Sequence, residues 1–324
     1  MAALPYVVAF VLALLATLAT TPLVAVLARR LGAMDRPDER KVHSVPTPRW
    51  GGLGVYVSLL LSVGLVLGLF PSVRAGLTPR LWDNLTGMLA GATLMVALGM
   101  ADDRWGLPAR WKLAGQILVA AVMLAFGIRI EYLSNPFNGL LVLSFGTSVL
   151  VTVFWLVGIT NAMNLLDGLD GLLAGVSLIS AVVFLVVSAL QGQWLVVLVM
   201  AALAGSCLGF LRYNFNPAQI FMGDSGSLLL GLWFSGWAVI GMLKSTTALA
   251  LAIPICIMGL PILDTSLAII RRSLARRSIF SPDKEHLHHR LLGLGLSQRQ
   301  TVVLIYFINV LFGLMGLALA VAVK

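Results

Sequence analysis

Long apolar runs alternate with short polar segments along nearly the whole chain. Ten runs approach or exceed the roughly 20 residues that cross a bilayer as a helix. They are 4–28, 51–70, 84–101, 112–128, 145–162, 172–190, 194–211, 226–243, 246–270 and 300–322. None shows the short period-2 alternation of a membrane barrel, and within lipid only helices and closed barrels satisfy their own backbone. The pattern predicts an all-α integral membrane protein with about ten transmembrane helices, forming one polytopic domain over residues 1–324. The first run reads as a span rather than a cleavable signal, because it is long and is followed by Arg29 and Arg30 instead of small residues.

Composition agrees: 59% of the 324 residues are apolar and 11% are charged. Numbering the connections from an external N-terminus puts 17 of the 22 lysines and arginines on the inner side, as the positive-inside rule requires. That rule makes no demand on acids, yet 11 of the 13 aspartates and glutamates, and all four histidines, fall on the same side or at its membrane boundary. The groups able to do acid–base or metal chemistry therefore gather on one face, expected to be cytoplasmic. The net charge of +9 is accounted for by the loop arginines and suits anionic headgroups, so no nucleic-acid partner is expected. Cys207 and Cys256 lie in apolar runs and suggest core residues rather than a disulfide framework.

Five polar segments interrupt the hydrocarbon. In DRPDERKVHSVPTPRWGG (35–52) the prolines exclude a long helix, and Lys41, His43 and Arg49 are candidate anion contacts; a structured polar loop fits equally well. MADDRWGLPARWK (100–112) ends a span on two adjacent carboxylates, Asp102 and Asp103, where a helix C-terminus disfavours acids. One could be a general base and the other could hold a cation. NAMNLLDGLDGL (161–172) places Asn161, Asn164, Asp167 and Asp170 at intervals of three, and its glycines predict that both aspartates sit on a turn beyond the helix. Oxygen ligands of this kind suit Mg²⁺ or Mn²⁺. RYNFNPAQIFMGDSGSLLLG (212–231) sets Asp224 at the start of the next span, as a simple N-cap or as a ligand beside phosphate-binding N–H groups. Asp264, in LPILDT, is an intramembrane acid and requires a polar cavity or a partner. SPDKEHLHHRLLGLG (281–295) brings three histidines near the arginines at 271, 272, 276 and 277, a set better suited to phosphate than to zinc. Together these segments suggest phosphoryl-type transfer between a water-soluble diphosphate and a membrane-dissolved partner.

The motifs HSVPTPRWGG, DDRWGLPARWK, NAMNLLDGLDGL, NPAQIFMGDSGS, LPILDT and HLHHRLL, in this order from about residue 35 to 295, resemble the polyprenyl-phosphate N-acetylhexosamine-1-phosphate transferases. The separated HLHH, and Trp50 before the paired glycines, resemble the bacterial undecaprenyl-phosphate GlcNAc-1-phosphate transferase branch. The phospho-N-acetylmuramoyl-pentapeptide translocases usually carry three consecutive histidines, and methionine in place of Trp50. The resemblance implies a multi-pass protein of the bacterial inner membrane. It would take a UDP-N-acetylhexosamine and polyprenyl phosphate as partners and yield a polyprenyl-diphosphate sugar and UMP, with Mg²⁺; a homodimer is left open.

By motif position, the resemblance makes Asp102 the base that deprotonates the lipid phosphate, with Asp103 beside it. Asn164 and Asp224 would hold Mg²⁺. Lys112 would touch the diphosphate, with Lys41 as a further substrate contact. Asp167 and Asp170 would shape the nucleotide site, and Phe221 would stack on uracil. His286, His288, His289 and Arg290 would face the sugar phosphate. Direct attack by the lipid phosphate is the preferred route, and a two-step route through an aspartyl-phosphate stays open. The alternatives are the pentapeptide translocase and, from a different class, a secondary transporter of an anionic solute.

Overall fold

The computed structural model describes residues 3–35, 45–135, 139–242, 252–275 and 286–322. Lys41 and His43 lie outside this set. The chain is helical almost throughout. Its helices are α1 (Leu4–Leu31), α2 (Gly51–Leu69), α3 (Pro71–Ala75), α4 (Pro79–Trp105), α5 (Ala109–Ala125), α6 (Phe145–Leu166), α7 (Leu172–Leu190), α8 (Trp194–Asn214), α9 (Gly223–Met242), α10 (Ala252–Ile257), α11 (Gly259–Leu274), α12 (Leu287–Gly293) and α13 (Gln298–Ala322). Seven of them, α1, α2, α4, α6, α7, α8 and α13, are long and apolar enough to cross a membrane. Two antiparallel strand pairs also lie among the described residues: β1 (Met34–Asp35) with β2 (Thr47–Pro48), and β3 (Tyr132–Asn135) with β4 (Gly139–Val142).

Local chemistry sets the helix ends. Thr78 caps α4, and Ser144 caps α6, by accepting the N–H groups of Leu81 and Thr147. Left-handed glycines stop α1 at Gly32 and α4 at Gly106. Helix α4 is longer than its apolar run, because the Pro79 start and the Gly106 stop lie outside the hydrophobic stretch and bring Asp102 and Asp103 into its last turn. The ninth apolar run is divided at Met258. Pro261 offers no N–H to the carbonyl four residues back, and its ring crowds that carbonyl, so one helix ends at Ile257 and another begins at Gly259.

Helices α8 and α9 are the buried posts of the bundle. Helix α8 packs on α1, α7 and α2, and α9 on α4, α6 and α2. Every described side chain of α9 from Ser225 to Gly241 is buried. A helix buried all round needs neighbours on every side, and glycines supply the close contact. At Gly99 of α4 an added Cβ would lie 2.4 Å from the carbonyl oxygen of Asp224, so the two backbones touch at the start of α9.

Candidate active site

The ends of α4, α5, α6 and α9 that carry polar residues meet at one end of the bundle. Asp103 sends both carboxylate oxygens into the start of α9: Oδ1 accepts the N–H of Asp224 at 2.9 Å, and Oδ2 accepts that of Ser225 at 3.1 Å. This is helix capping supplied by a different helix. It depends on Gly223, whose φ of +69° favours glycine and where a Cβ would sit 2.5 Å from Asp103 Oδ2. Asp102 turns the other way. Its Oδ1 accepts the Leu107 N–H at 2.6 Å, and its Oδ2 pairs with Lys112. The adjacent acids thus have separate tasks, one holding α9 and the other facing the α5 lysine.

Lys112 also bonds Asp224, so one ammonium is lodged between two carboxylates. Asp224 is held from a third side by Asn164, whose Nδ2 donates to Asp224 Oδ1 at 2.8 Å and to Ser227 Oγ at 2.7 Å. With its amide N–H groups spent there, Asn164 has its Oδ1 left as an acceptor. Asn161, one turn earlier, faces a different neighbour. Its Nδ2 donates to Gln116 Oε1 at 2.7 Å, and Gln116 Nε2 returns a bond to Asn161 Oδ1 at 3.3 Å.

A cavity of about 470 Å³ opens beside this cluster, within the range of small-ligand sites. Asp103, Asp167, Asp170, Phe221, Asp224 and His289 line it, together with Asp35, Arg49, Asn214, Asn216 and Gln298. Helix α6 stops at Leu166, and residues 167–171 form the expected turn. Asn214 Oδ1 accepts the Gly171 N–H, and Tyr306 donates its hydroxyl to the Gly171 carbonyl. Burial raises the Asp167 carboxyl to about 8, and the charges of Asp224 and Asp103 push the same way. Asp170 accepts from Asn216 Nδ2 at 2.9 Å and from the Ala218 N–H at 3.1 Å, so it braces the loop that carries Phe221. Arg49 pairs with Asp35 at 2.5 Å and lies 3.9 Å from Asp103.

The α2 start closes this wall. Trp50 adopts φ 77°, uncommon for a side chain of this size. Its indole donates to the Met100 carbonyl at 3.1 Å, and the N–H groups of Gly51 and Gly52 bond the carbonyls of Phe221 and Met222.

The expected histidines separate. His289 lines the cavity, whereas His286 and His288 are 4% and 2% exposed and face Asp264 and Gly168. Burial lowers the His288 imidazole to about 4, helped by its neighbours His289 and His286. Arg290 is exposed in the last turn of α12. Reading the sequence did not single out Asp35, Asn214, Asn216, Gln298 or Ser227. Asn214 and Asn216 lie inside a quoted motif, but isolated polar residues at helix ends give no signal of what they meet.

The glycosyl transferase family 4 sequence pattern matches residues 85–242, the stretch that supplies Asp102, Asp103, Lys112, Asn164, Asp167, Asp170 and Asp224. A probable undecaprenyl-phosphate N-acetylglucosaminyl 1-phosphate transferase of Bacillus subtilis is 41% identical over 97% of this chain and 84% of its own length. The chain belongs to glycosyl transferase family 4. A decaprenyl-phosphate N-acetylglucosaminephosphotransferase of Mycobacterium leprae is 42% identical over 88% of this chain and 76% of its own. A phospho-N-acetylmuramoyl-pentapeptide-transferase of Desulforudis audaxviator is 33% identical over 97% and 98%. The family therefore agrees with the one its six motifs resemble, and the chain is a transferase.

The cluster suits a hard divalent cation. Lys112 shows that the Asp102–Asp224 gap accommodates positive charge, and Asn164 and Asp224 offer oxygens at its edge. Among the described residues no three histidine, cysteine or carboxylate side chains form a closed cage. Mg²⁺ does not require one, because it binds through one or two carboxylates with water and substrate phosphates completing its shell.

Proposed function

We propose that this transferase moves N-acetylhexosamine 1-phosphate, with GlcNAc 1-phosphate favoured, from the UDP-sugar to undecaprenyl phosphate. One observation carries the reading: Asp102, Lys112, Asn164 and Asp224 meet at the edge of a cavity that also holds Asp103, Asp167, Asp170, Phe221 and His289. An acid–amide–ammonium cluster faces the diphosphate, and a recess with one aromatic wall takes the nucleotide.

Asp102 takes the proton of the lipid phosphate. The freed oxygen attacks the sugar-bearing phosphorus, the bond to the bridging oxygen breaks, and UMP leaves with that oxygen. Lys112 is the counter-charge, bonded to both Asp102 and Asp224. Asp103 holds α9, and through it Asp224, in place. When bound at Asn164 and Asp224, Mg²⁺ (or Mn²⁺) supplies charge neutralisation to the diphosphate and to the departing UMP. Lys41, His289 and Arg290 complete the anion contacts, and Asp167 and Asp170 shape the nucleotide pocket.

The same reading sets the chain in the bacterial inner membrane as a single domain over residues 1–324. Ten spans, with both termini outside, turn the cavity toward the cytoplasm, as the inner-side excess of arginines and lysines supports. A second copy is compatible with it.

The test is radiolabelled UMP release by purified protein from UDP-GlcNAc. Release only when polyprenyl phosphate is added supports the proposal. Faster turnover of UDP-N-acetylmuramoyl-pentapeptide would favour the translocase activity instead, and uptake into vesicles without product would favour transport.

A further inference from the structure

One buried carboxylate stands outside this chemistry. Asp264 lies in α11, is 6% exposed, and takes no part in the transfer described above. Both of its oxygens are committed to the next described stretch of chain. Oδ2 lies 2.9 Å from His286 Nδ1, and Oδ1 accepts the Leu287 N–H at 2.9 Å. Leu287 opens α12, and His286, at the N-cap position, provides no side-chain cap. Asp264 provides that cap from a separate helix. A seven-residue helix has little stability of its own, so its position depends on such outside contacts.

The contacts run on toward the cavity. The His286 and His288 rings are parallel to within 4°, with centroids 6.0 Å apart. His288 packs on Gly168, where an added Cβ would lie 2.3 Å from His288 Nε2. Gly168 is the neighbour of Asp167, and both line the cavity. His289, 4.3 Å from His288 between ring centres, reaches the cavity wall itself. The His286–His289 turn is therefore held between Asp264 behind and the 167–171 turn in front. Simple neutralisation of a buried acid would need only the imidazole. The second oxygen, on a backbone N–H, also fixes the direction in which the turn leaves.

We propose that Asp264 is a positioning residue for donor binding, setting the His286–His289 turn so that His289 meets the diphosphate of the nucleotide sugar. The proposal rests on the transferase reading above.

The experiment uses the full-length protein and UMP release, varying UDP-GlcNAc at saturating polyprenyl phosphate and then the reverse. Asp264→Asn and His286→Gln should each raise the KM for UDP-GlcNAc about tenfold or more, the scale of a displaced binding group. The KM for the lipid should stay at its wild-type value. Each change, combined with His289→Ala, should do no more than His289→Ala alone, because all act through one contact. If Asp264→Asn does not fold, His286→Gln reads the same pair. A wild-type KM for UDP-GlcNAc in folded variants, equal losses for both substrates, or additivity with His289→Ala overturns the proposal. Failure of both single variants to fold overturns it as well, by making the pair purely structural. Absence of UMP release from the wild-type protein would remove the transferase reading instead.

Discussion

Two neighbouring aspartates show how much a single side chain's surroundings decide. Asp102 faces Lys112, while Asp103 is spent on two backbone N–H groups of α9. Asp102→Asn should therefore leave UMP binding intact and stop transfer; an unchanged turnover number would reject Asp102 as the base. Asp224→Asn should lower turnover by about 10²-fold or more and weaken the dependence on Mg²⁺, with circular dichroism unchanged. Turnover at the wild-type rate would mean that Asp224 is not a ligand. His288 carries a pH signature of stability rather than catalysis. Its imidazole protonates near 6.5 when unfolded and near 4 when folded. Between those values the unfolded chain binds more protons, so stability should fall as pH drops from 6.5 toward 4. Thermal unfolding across that window should show the loss, and His288→Gln should make it shallower.

At the scale of elements, the apolar runs disclosed the long helices, because a helix that crosses hydrocarbon needs a long apolar stretch, but the break of the ninth run at Met258 was not foreseen. Polar clusters were legible for the same reason: in so apolar a chain an acid or amide stands out. Which cluster meets which was not legible. Asn161 and Asn164 look alike in sequence, yet Asn161 joins Gln116 of α5 and Asn164 joins Asp224 of α9. The partner of Asp264 was equally hidden, because His286 lies 22 residues away, beyond a stretch whose length does not fix its path. Helix α5 has only Gln116, Val119, Ala120 and Met123 buried, so the Gln116–Asn161 amide pair is its main polar hold on α6. Lipid gives helices no hydrophobic reason to stay in register, and amide pairs act as the pin. Gln116→Leu should cost only about 0.6–1.7 kcal/mol of stability, read from the unfolding midpoint in detergent. Activity should fall more steeply, because Lys112 is one turn away on the same face. Equal wild-type and variant turnover would show that α5 is held by other means.

At the scale of the whole molecule, the crossing pattern read from sequence brings the polar clusters to one face, and the acids and amide of α4, α6 and α9 do meet the α5 lysine at one end of the bundle. The proposed sidedness rests on the charge asymmetry and can be measured. With Cys207 and Cys256 replaced by alanine, a cysteine at exposed Ser72 should react with a membrane-impermeant thiol reagent in spheroplasts. One at exposed Ser297 should react only after lysis. The opposite pattern would place the cavity on the external face.

The enclosed position of α9 has a further consequence for how a very long lipid is handled. A post walled in by its neighbours along its described length offers hydrocarbon no lateral door. The carboxylate at its tip, Asp224, lines the cavity. On the proposed reading, a prenyl tail would therefore not lie along α9 itself, and its phosphate would come to Asp224 from the cavity side.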